Sequence, residues 1–174
     1  MEIIEQKQNR IRSFPPVVTL DSHTLILGSM PGEESLRLGQ YYANPRNAFW
    51  RILVKLCGSE NDLSYELRLK LLNNRRIALW DVLHSCQRKG SLDSAIQISS
   101  MDTNDFQTFL ASNLQIQRIF FNGAFAETTY RKFVRPLLAP REAAIPARRL
   151  PSTSPANASM GFEDKLHAWR VILD

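Results

Sequence analysis

Residues capable of chemistry gather in a few short runs of this sequence. Gly28-Ser29-Met30-Pro31-Gly32 follows the apolar run Thr24-Leu25-Ile26-Leu27, the pattern of a buried strand feeding a tight turn. The spacing is not the GxGxxG of a dinucleotide site, nor a phosphate loop, because no Gly-Lys-Ser/Thr follows. Alone it reads as a strand-to-turn connection. The continuation changes that: Glu33 to Trp50 places Tyr41, Tyr42, Asn44, Arg46 and Asn47 between the turn and an amphipathic helix. A polar, aromatic-rich connection of that length is commonly functional. Near the other end, Arg135, Arg141, Arg148 and Arg149 fall among Pro136, Pro140, Pro146 and Pro151. Such a cationic stretch suits a polyanion, because each phosphate contact releases counterions; a solvated surface loop is the alternative.

Metal and redox chemistry find little support. Cys57 and Cys86 sit in apolar contexts and are too few for an iron–sulfur cluster, which takes four ligands. A small buried thiol is the plainer reading. His23, His84 and His167 are scattered without an HxxxH or CxxC partner. No metal and no cofactor are expected.

The elements that must position these residues alternate between strand and helix. Strands are expected at Thr24–Leu27, Ile77–Leu83, Arg118–Asn122 and Ala147–Leu150. Helices are expected at Asn47–Leu56, Leu63–Asn73, Met101–Leu114 (capped by Asp102 or Thr103), Ala124–Leu138 and Phe162–Leu173. This order predicts an α/β fold of three layers, α/β/α, around a mostly parallel four-stranded sheet. No repeat or linker interrupts it, so residues 1–174 read as one domain with a polar lead-in over 1–17. In open sheets of this kind, ligands bind beyond the carboxyl ends of the strands. Those ends are Gly28–Gly32, Trp80-Asp81, Asn122-Gly123 and Pro151–Pro155, so the polar residues converge on one rim.

The 174 residues carry 22 Lys and Arg against 17 Asp and Glu, a net charge of +5. With 44% hydrophobic and 22% charged residues, the composition excludes disordered, collagen-like and coiled-coil chains. No apolar run approaches the roughly 20 residues of a membrane helix, and Met1-Glu2-Ile3-Ile4-Glu5 lacks a secretory signal pattern. A soluble, cytoplasmic, monomeric protein is expected.

Three blocks resemble the uracil-DNA glycosylase superfamily. Gly28-x-x-Pro31-Gly32 is similar to its first motif. Tyr42-Ala43-Asn44-Pro45-Arg46-Asn47-Ala48-Phe49-Trp50 is similar to the aromatic–x–x–Pro–x–Asn–x–Phe–Trp run of the mismatch-specific branch. Leu150-Pro151-Ser152-Thr153-Ser154-Pro155-Ala156-Asn157 resembles the last motif, a Ser-Pro loop that grips DNA. Together with Leu79-Trp80-Asp81-Val82-Leu83, the whole string looks most like the hypoxanthine-DNA glycosylase branch. The blocks run from residue 28 to residue 157, most of the chain.

The resemblance implies an enzyme that hydrolyses the N-glycosidic bond of deaminated bases in DNA, hypoxanthine preferred, without a lyase step, because no lysine stands at a motif position. A mismatch-type uracil or thymine glycosylase and a non-catalytic binder of damaged DNA are the alternatives. Most branches carry a water-activating Asp or Asn at the third position of the first motif; here that position is Met30. The last motif has Ser152 where the uracil-specific enzymes have histidine. The resemblance therefore moves the water-positioning role downstream, to Asn44 or Asn47. Asn44 is preferred, because Asn47 also matches an asparagine of branches that already possess a catalytic residue.

The base must be flipped from the duplex into a pocket. The pocket implied is formed by Gly28, Ser29, Met30, Pro31 and Gly32, whose backbone N–H groups would face the base, with Tyr41, Tyr42 and Asp81. Tyr42 stands at the superfamily's stacking position, with Tyr41 as a second candidate; a core tyrosine with a satisfied hydroxyl is the alternative. Asp81 either accepts the N1–H of hypoxanthine or is a capping or salt-bridging residue. Arg148, Arg149, Ser152, Thr153, Ser154, Pro155 and Asn157 would hold phosphates, and Met160 would fill the gap left in the base stack.

Overall fold

Alternating apolar positions in four short runs decide the architecture. The computed structural model describes residues 10–59 and 62–174. Its strands are β1 (Arg10–Arg12), β2 (Thr24–Gly28), β3 (Ile77–Asp81), β4 (Leu83–Gln87), β5 (Asp102–Thr103), β6 (Arg118–Asn122) and β7 (Ala147–Leu150). The helices used below are α1 (Glu33–Leu38), α2 (Phe49–Leu56), α3 (Tyr65–Asn74), α4 (Phe106–Ser112), α5 (Ala124–Thr129), α6 (Pro140–Ala143) and α7 (Phe162–Trp169).

The central sheet has the order β3-β2-β6-β7, and every pairing in it is parallel. The register sets Gly28 beside Asp81 and Asn122 beside Leu150, so the polar strand ends lie in one row. Side chains alternate across the sheet. Ile26, Ile77, Leu79 and Phe120 face one layer, with Phe49, Ile52 and Leu53 of α2, Leu72 of α3, and Leu166 and Trp169 of α7. Leu25, Leu27, Ala78, Trp80, Ile119 and Phe121 face the other, with Phe106, Phe109 and Leu110 of α4 and Ala126 of α5. The molecule is thus the expected three-layer α/β/α arrangement around a four-stranded parallel sheet.

Three expectations need correction. Ile77–Leu83 is not one strand: the chain breaks at Val82, whose N–H donates to the Gly28 carbonyl, and β4 begins at Leu83. β4 then pairs antiparallel with β1 and β5 in a second sheet. Residues 10–17 are accordingly more than a lead-in, since β1 is an edge of this sheet and Val17 exchanges backbone hydrogen bonds with Leu79. Residues 1–9 lie outside the described residues. The helix expected from Met101 starts only at Phe106. Asp102 and Thr103 belong to β5, Asn104 donates to the carbonyls of Asp81 and Leu83, and Asp105 caps the helix by accepting the Thr108 N–H. Local capping signals at 102 and 103 lost to sheet pairing across the chain.

The long helix expected over Ala124–Leu138 also changes pitch. After α5 the turn widens to π geometry over Tyr130–Val134 and tightens to 3₁₀ over Arg135–Leu137. Tyr130 is buried there against Phe106 and Phe121.

Candidate active site

Beyond the carboxyl ends of β2, β3 and β6 lies a cleft of about 840 Å³, in the size range of small-molecule sites. Its walls include Gly28–Gly32, Tyr42, Asn44, Asn47, Asp81, Asn122 and the 152–157 loop. Residues from all three sequence blocks therefore meet.

The floor depends on Gly28. A Cβ at this position would stand 2.5 Å from Asp81 Oδ1 and 2.7 Å from the Tyr42 hydroxyl, closer than any side chain tolerates. Only glycine lets the carboxyl and the phenol approach the strand end together. Asp81 is 4% exposed, and its Oδ2 has no hydrogen-bond partner. Burial, reinforced by the nearby charge of Asp93 and opposed by Arg88, pushes its carboxyl up to about 7. The Tyr42 hydroxyl is also buried without a partner. Buried polar atoms left open at a cleft call for a ligand or water.

Tyr42 is held in an unusual backbone conformation, φ +52°, which bulky residues adopt only under constraint. The constraint is visible on both sides. The Tyr41 N–H donates to the Tyr65 hydroxyl at 3.0 Å, the Trp50 indole N–H donates to the Tyr41 carbonyl at 2.7 Å, and the Ala43 N–H donates to Ser35 Oγ at 3.1 Å. The Tyr42 ring stacks on Phe49, centroids 4.0 Å apart and 21° from parallel. Tyr41 is different from the expectation. At 3% exposure it belongs to the core, edge-on to Phe14, with its hydroxyl donating to the Pro15 carbonyl at 2.9 Å. Its ring is not free to stack on a base.

Asn44 and Asn47 both line the cleft. Each carboxamide oxygen accepts a nearby backbone N–H: Asn44 that of Arg46, Asn47 that of Phe49, both at 3.0 Å. Their NH₂ groups and second oxygen lone pairs remain for other partners. Met30 lines the same wall, but packs into a third apolar cluster with Leu83, Cys86 and Ile96.

The last-motif loop is fastened from three sides. Thr153 accepts from Asn122 Nδ2 at 2.8 Å through its hydroxyl and donates its N–H to Asn122 Oδ1 at 2.9 Å, while its carbonyl accepts the Ala48 N–H at 3.0 Å. Lys165 Nζ donates to the Asn157 carbonyl at 2.9 Å, and Trp169 Nε1 to the Pro151 carbonyl at 2.9 Å. Ser152, Ser154, Pro155 and Asn157 face the cleft. Thr153 does not offer its hydroxyl to a phosphate as expected: at 1% exposure it points inward to Asn122. Arg148 and Arg149 stand on β7 away from the cleft lining, and Arg149 reaches Glu127 at 3.5 Å. Met160 lies on the loop beyond Asn157, also outside the lining.

Sequence reasoning missed the segment after β4. Asp93 accepts from Ser29 Oγ at 2.7 Å, Ser91 Oγ accepts the Glu33 N–H at 3.0 Å, and buried Arg88 donates to the Pro31 carbonyl. These bonds brace Gly28–Gly32, and Ser91 and Asp93 themselves line the cleft. In sequence the run Arg88-Lys89-Gly90-Ser91 looks like a solvated turn; only Gly90, at φ +76°, signals a shaped loop. Asn122 was legible as a strand end but not as the clasp on Thr153. No group of side chains suited to hold a metal occurs among the described residues.

A parallel α/β sheet with a polar-floored cleft at its strand ends belongs to the class of open-sheet proteins that bind ligands there, and the family comparison says which of them this is. Residues 15–173 match the Uracil DNA glycosylase superfamily, and the chain belongs to it. The chain is 40% identical over 147 residues to the hypoxanthine DNA glycosylase of Methanosarcina acetivorans, covering 84% of this chain and 87% of that protein. It is 37% identical over 113 residues to the hypoxanthine DNA glycosylase of Methanosarcina barkeri, covering 64% and 70%. Its fold matches the solution NMR structure of a uracil DNA glycosylase candidate from Methanosarcina acetivorans with TM-score 0.75 and 34% identity, over 95% of this chain and 99% of that one.

Proposed function

We propose that this protein is a monofunctional DNA glycosylase that removes hypoxanthine from DNA, acting as a single-domain monomer on DNA in the cytoplasm. The observation that carries the reading is the cleft floor: Asp81 and Tyr42 present buried, unpartnered polar atoms that only glycine at 28 leaves room for. Relatives named for hypoxanthine support the choice of base.

In this reading the deoxyinosine swings out of the helix, at a cost of a few kcal/mol, and its base enters the cleft beside Tyr42. The C1′–N9 bond breaks with its electron pair leaving on the base, and a water oxygen bonds to C1′. The base departs as an anion unless something serves it. Asp81 in its protonated form donates to it, while a charged Asp81 would repel it. The proton lost by the water restores Asp81. Asn44 holds the water, the free lone pair of its oxygen accepting from it; Asn47 supports the turn. This is preorganised positioning rather than covalent catalysis.

The test is release of abasic sites from duplexes carrying single deoxyinosine, deoxyuridine or deoxyxanthosine residues. Hypoxanthine release should be fastest. Asn44→Ala should lower single-turnover excision by about 10²-fold, the scale of losing one oriented hydrogen-bonding group, with DNA affinity nearly unchanged. Wild-type excision by that variant would move the role to Asn47, and tight binding to inosine DNA with no abasic product would make the protein a binder.

A further inference from the structure

We propose that the sheet edge at β7, with the widened turn after α5, is a second surface for duplex DNA, holding a stretch of double helix separate from the one at the cleft; the inference rests on the base-excision reading above. The positive charge of the molecule is not where the cleft is. Among the described residues that line the cleft, Arg46 is the one lysine or arginine, against the carboxyl groups of Glu33, Glu34, Asp81 and Asp93. Residues 124–149 hold Arg131, Lys132, Arg135, Arg141, Arg148 and Arg149 but only two carboxylates, Glu127 and Glu142. Six against two leaves +4 of the chain's net +5 in this stretch, and none of its six cations lines the cleft.

The fold brings the two halves of this stretch together. β7 is the outer strand of the four-stranded sheet, and all six cations are exposed. Glu127 on α5 joins the halves: its Oε1 accepts from Arg131 Nε at 3.0 Å, and its Oε2 stands 3.5 Å from Arg149 Nε. Arg131 also donates to the Ala147 carbonyl at 3.4 Å, and Arg135 to the Ala143 carbonyl at 3.3 Å. Tyr130, Arg131 and Arg135 line a recess of about 210 Å³ completed by residues 142–147. Glu142, which also lines it, pairs with Arg141 at 3.3 Å, so the two arginines stay in excess. The recess is made by residues that lead into β7, so it lies at the strand end opposite the cleft, about 10 Å or more below the rim for a strand of this length.

Arginine forks tied to backbone carbonyls are held in place while their remaining N–H groups stay open to a phosphate. Among the described residues, Lys132, Arg135 and Arg148 have no carboxylate partner, the ion pairs here being those of Arg131, Arg141 and Arg149. Charge on an outer strand also deters edge-to-edge pairing, which accounts for Arg148 and Arg149 but not for Arg131, Lys132 and Arg135, which lie off the strand. Turns widened to π geometry occur frequently at functional sites, and the one here carries Arg131 and Lys132. A double helix resists bending over so short a span, so the DNA at the cleft does not turn down the side of the sheet, and the wall takes another stretch. There it keeps the protein on DNA while the cleft, with its single cation, lets one site go.

The experiment compares the full-length wild type with Lys132→Gln/Arg135→Gln and with the charge-reversed Lys132→Glu/Arg135→Glu. Arg12→Glu/Lys70→Glu, on exposed cations elsewhere, is the control for net charge, and thermal unfolding verifies that all four fold alike. Sedimentation counts the duplexes bound per chain in an excess of a short duplex carrying one deoxyinosine. Wild type and control should bind two at low salt, and the charge-reversed variant one. For a short undamaged duplex, the neutral variant should bind at least about tenfold more weakly, with the salt exponent smaller by about 2, one unit for each phosphate contact removed. Single-turnover excision from the short inosine duplex at saturating protein should stay within about twofold of wild type, because the substituted residues are remote from the reacting bond. One duplex per wild-type chain, an equal loss in the control, or an unchanged salt exponent overturns the proposal. Tighter binding of poly-glutamate than of duplex at equal charge concentration, lost in the same variants, assigns the wall to an acidic peptide and overturns it too. If the wild type releases no base, the excision reading fails by itself, and the undamaged duplex still decides the wall: undiminished binding by Lys132→Gln/Arg135→Gln overturns it.

Discussion

Asp81 shows how one residue can be chemically defined by its neighbours. Nothing in the string Leu79-Trp80-Asp81-Val82 tells whether the carboxyl is charged; the answer comes from Gly28, Tyr42 and the lone open oxygen. Burial and Asp93 raise its pKa to about 7, far above the value near 4 of an unfolded chain. The folded state therefore holds the proton more tightly. Its contribution to stability is complete below about pH 4 and is lost as pH rises through about 7. Thermal unfolding from pH 5 to pH 8 should show stability declining toward the alkaline side by an amount on the order of a few kcal/mol. Asp81→Asn, neutral at every pH, should flatten most of that slope. Excision should fall above about pH 7 in the wild type, because the deprotonated carboxyl repels the departing anion. A pH-independent rate across that interval would remove Asp81 from the chemistry.

At the scale of elements, the strands that carry the site were readable because each is a short apolar run closed by a polar or glycine residue. Thr24–Gly28 and Arg118–Asn122 appear in the structure where that pattern put them; Ala147–Leu150, Ala-Arg-Arg-Leu, is also a strand, though it is no apolar run. What the pattern could not reveal was long-range pairing. Asp102 and Thr103 look like helix caps until β4 claims them, and Arg88–Asp93 looks solvated until it is seen against Gly28–Gly32. Thr153 is the clearest instance. In sequence its hydroxyl is one of several in a Ser-Pro loop, whereas in the fold it is the buried pin between β6 and the start of α2. Thr153→Val keeps the shape and deletes the acceptor for Asn122 Nδ2. It should cost about 1–3 kcal/mol in urea unfolding, the penalty for a buried donor left unpaired. Excision should decline with it, as the Ser152–Asn157 loop loses its register. Unchanged stability would show that Asn122 finds another partner.

For the whole molecule, the net charge of +5 and Arg46 at the cleft point to backbone contacts with DNA. Affinity for a duplex should drop by roughly tenfold or more between about 50 and about 200 mM salt, as a few counterions are released per complex. Binding indifferent to salt would argue for recognition of a free nucleoside. The gross architecture was legible from alternation of element types alone. The second sheet was not, because its strands are short and its first member lies in a segment that reads as polar lead-in.

The cleft borrows from almost the full length of the polypeptide: Gly28 near its beginning, Asn157 near its end, and a final helix whose Lys165 and Trp169 fasten the last loop. A chain that stopped before Lys165 would lack both of these fastenings. Part of the last loop's hold on the cleft therefore comes from residues that follow it in the chain, so shortening the C-terminus past Lys165 should loosen the site.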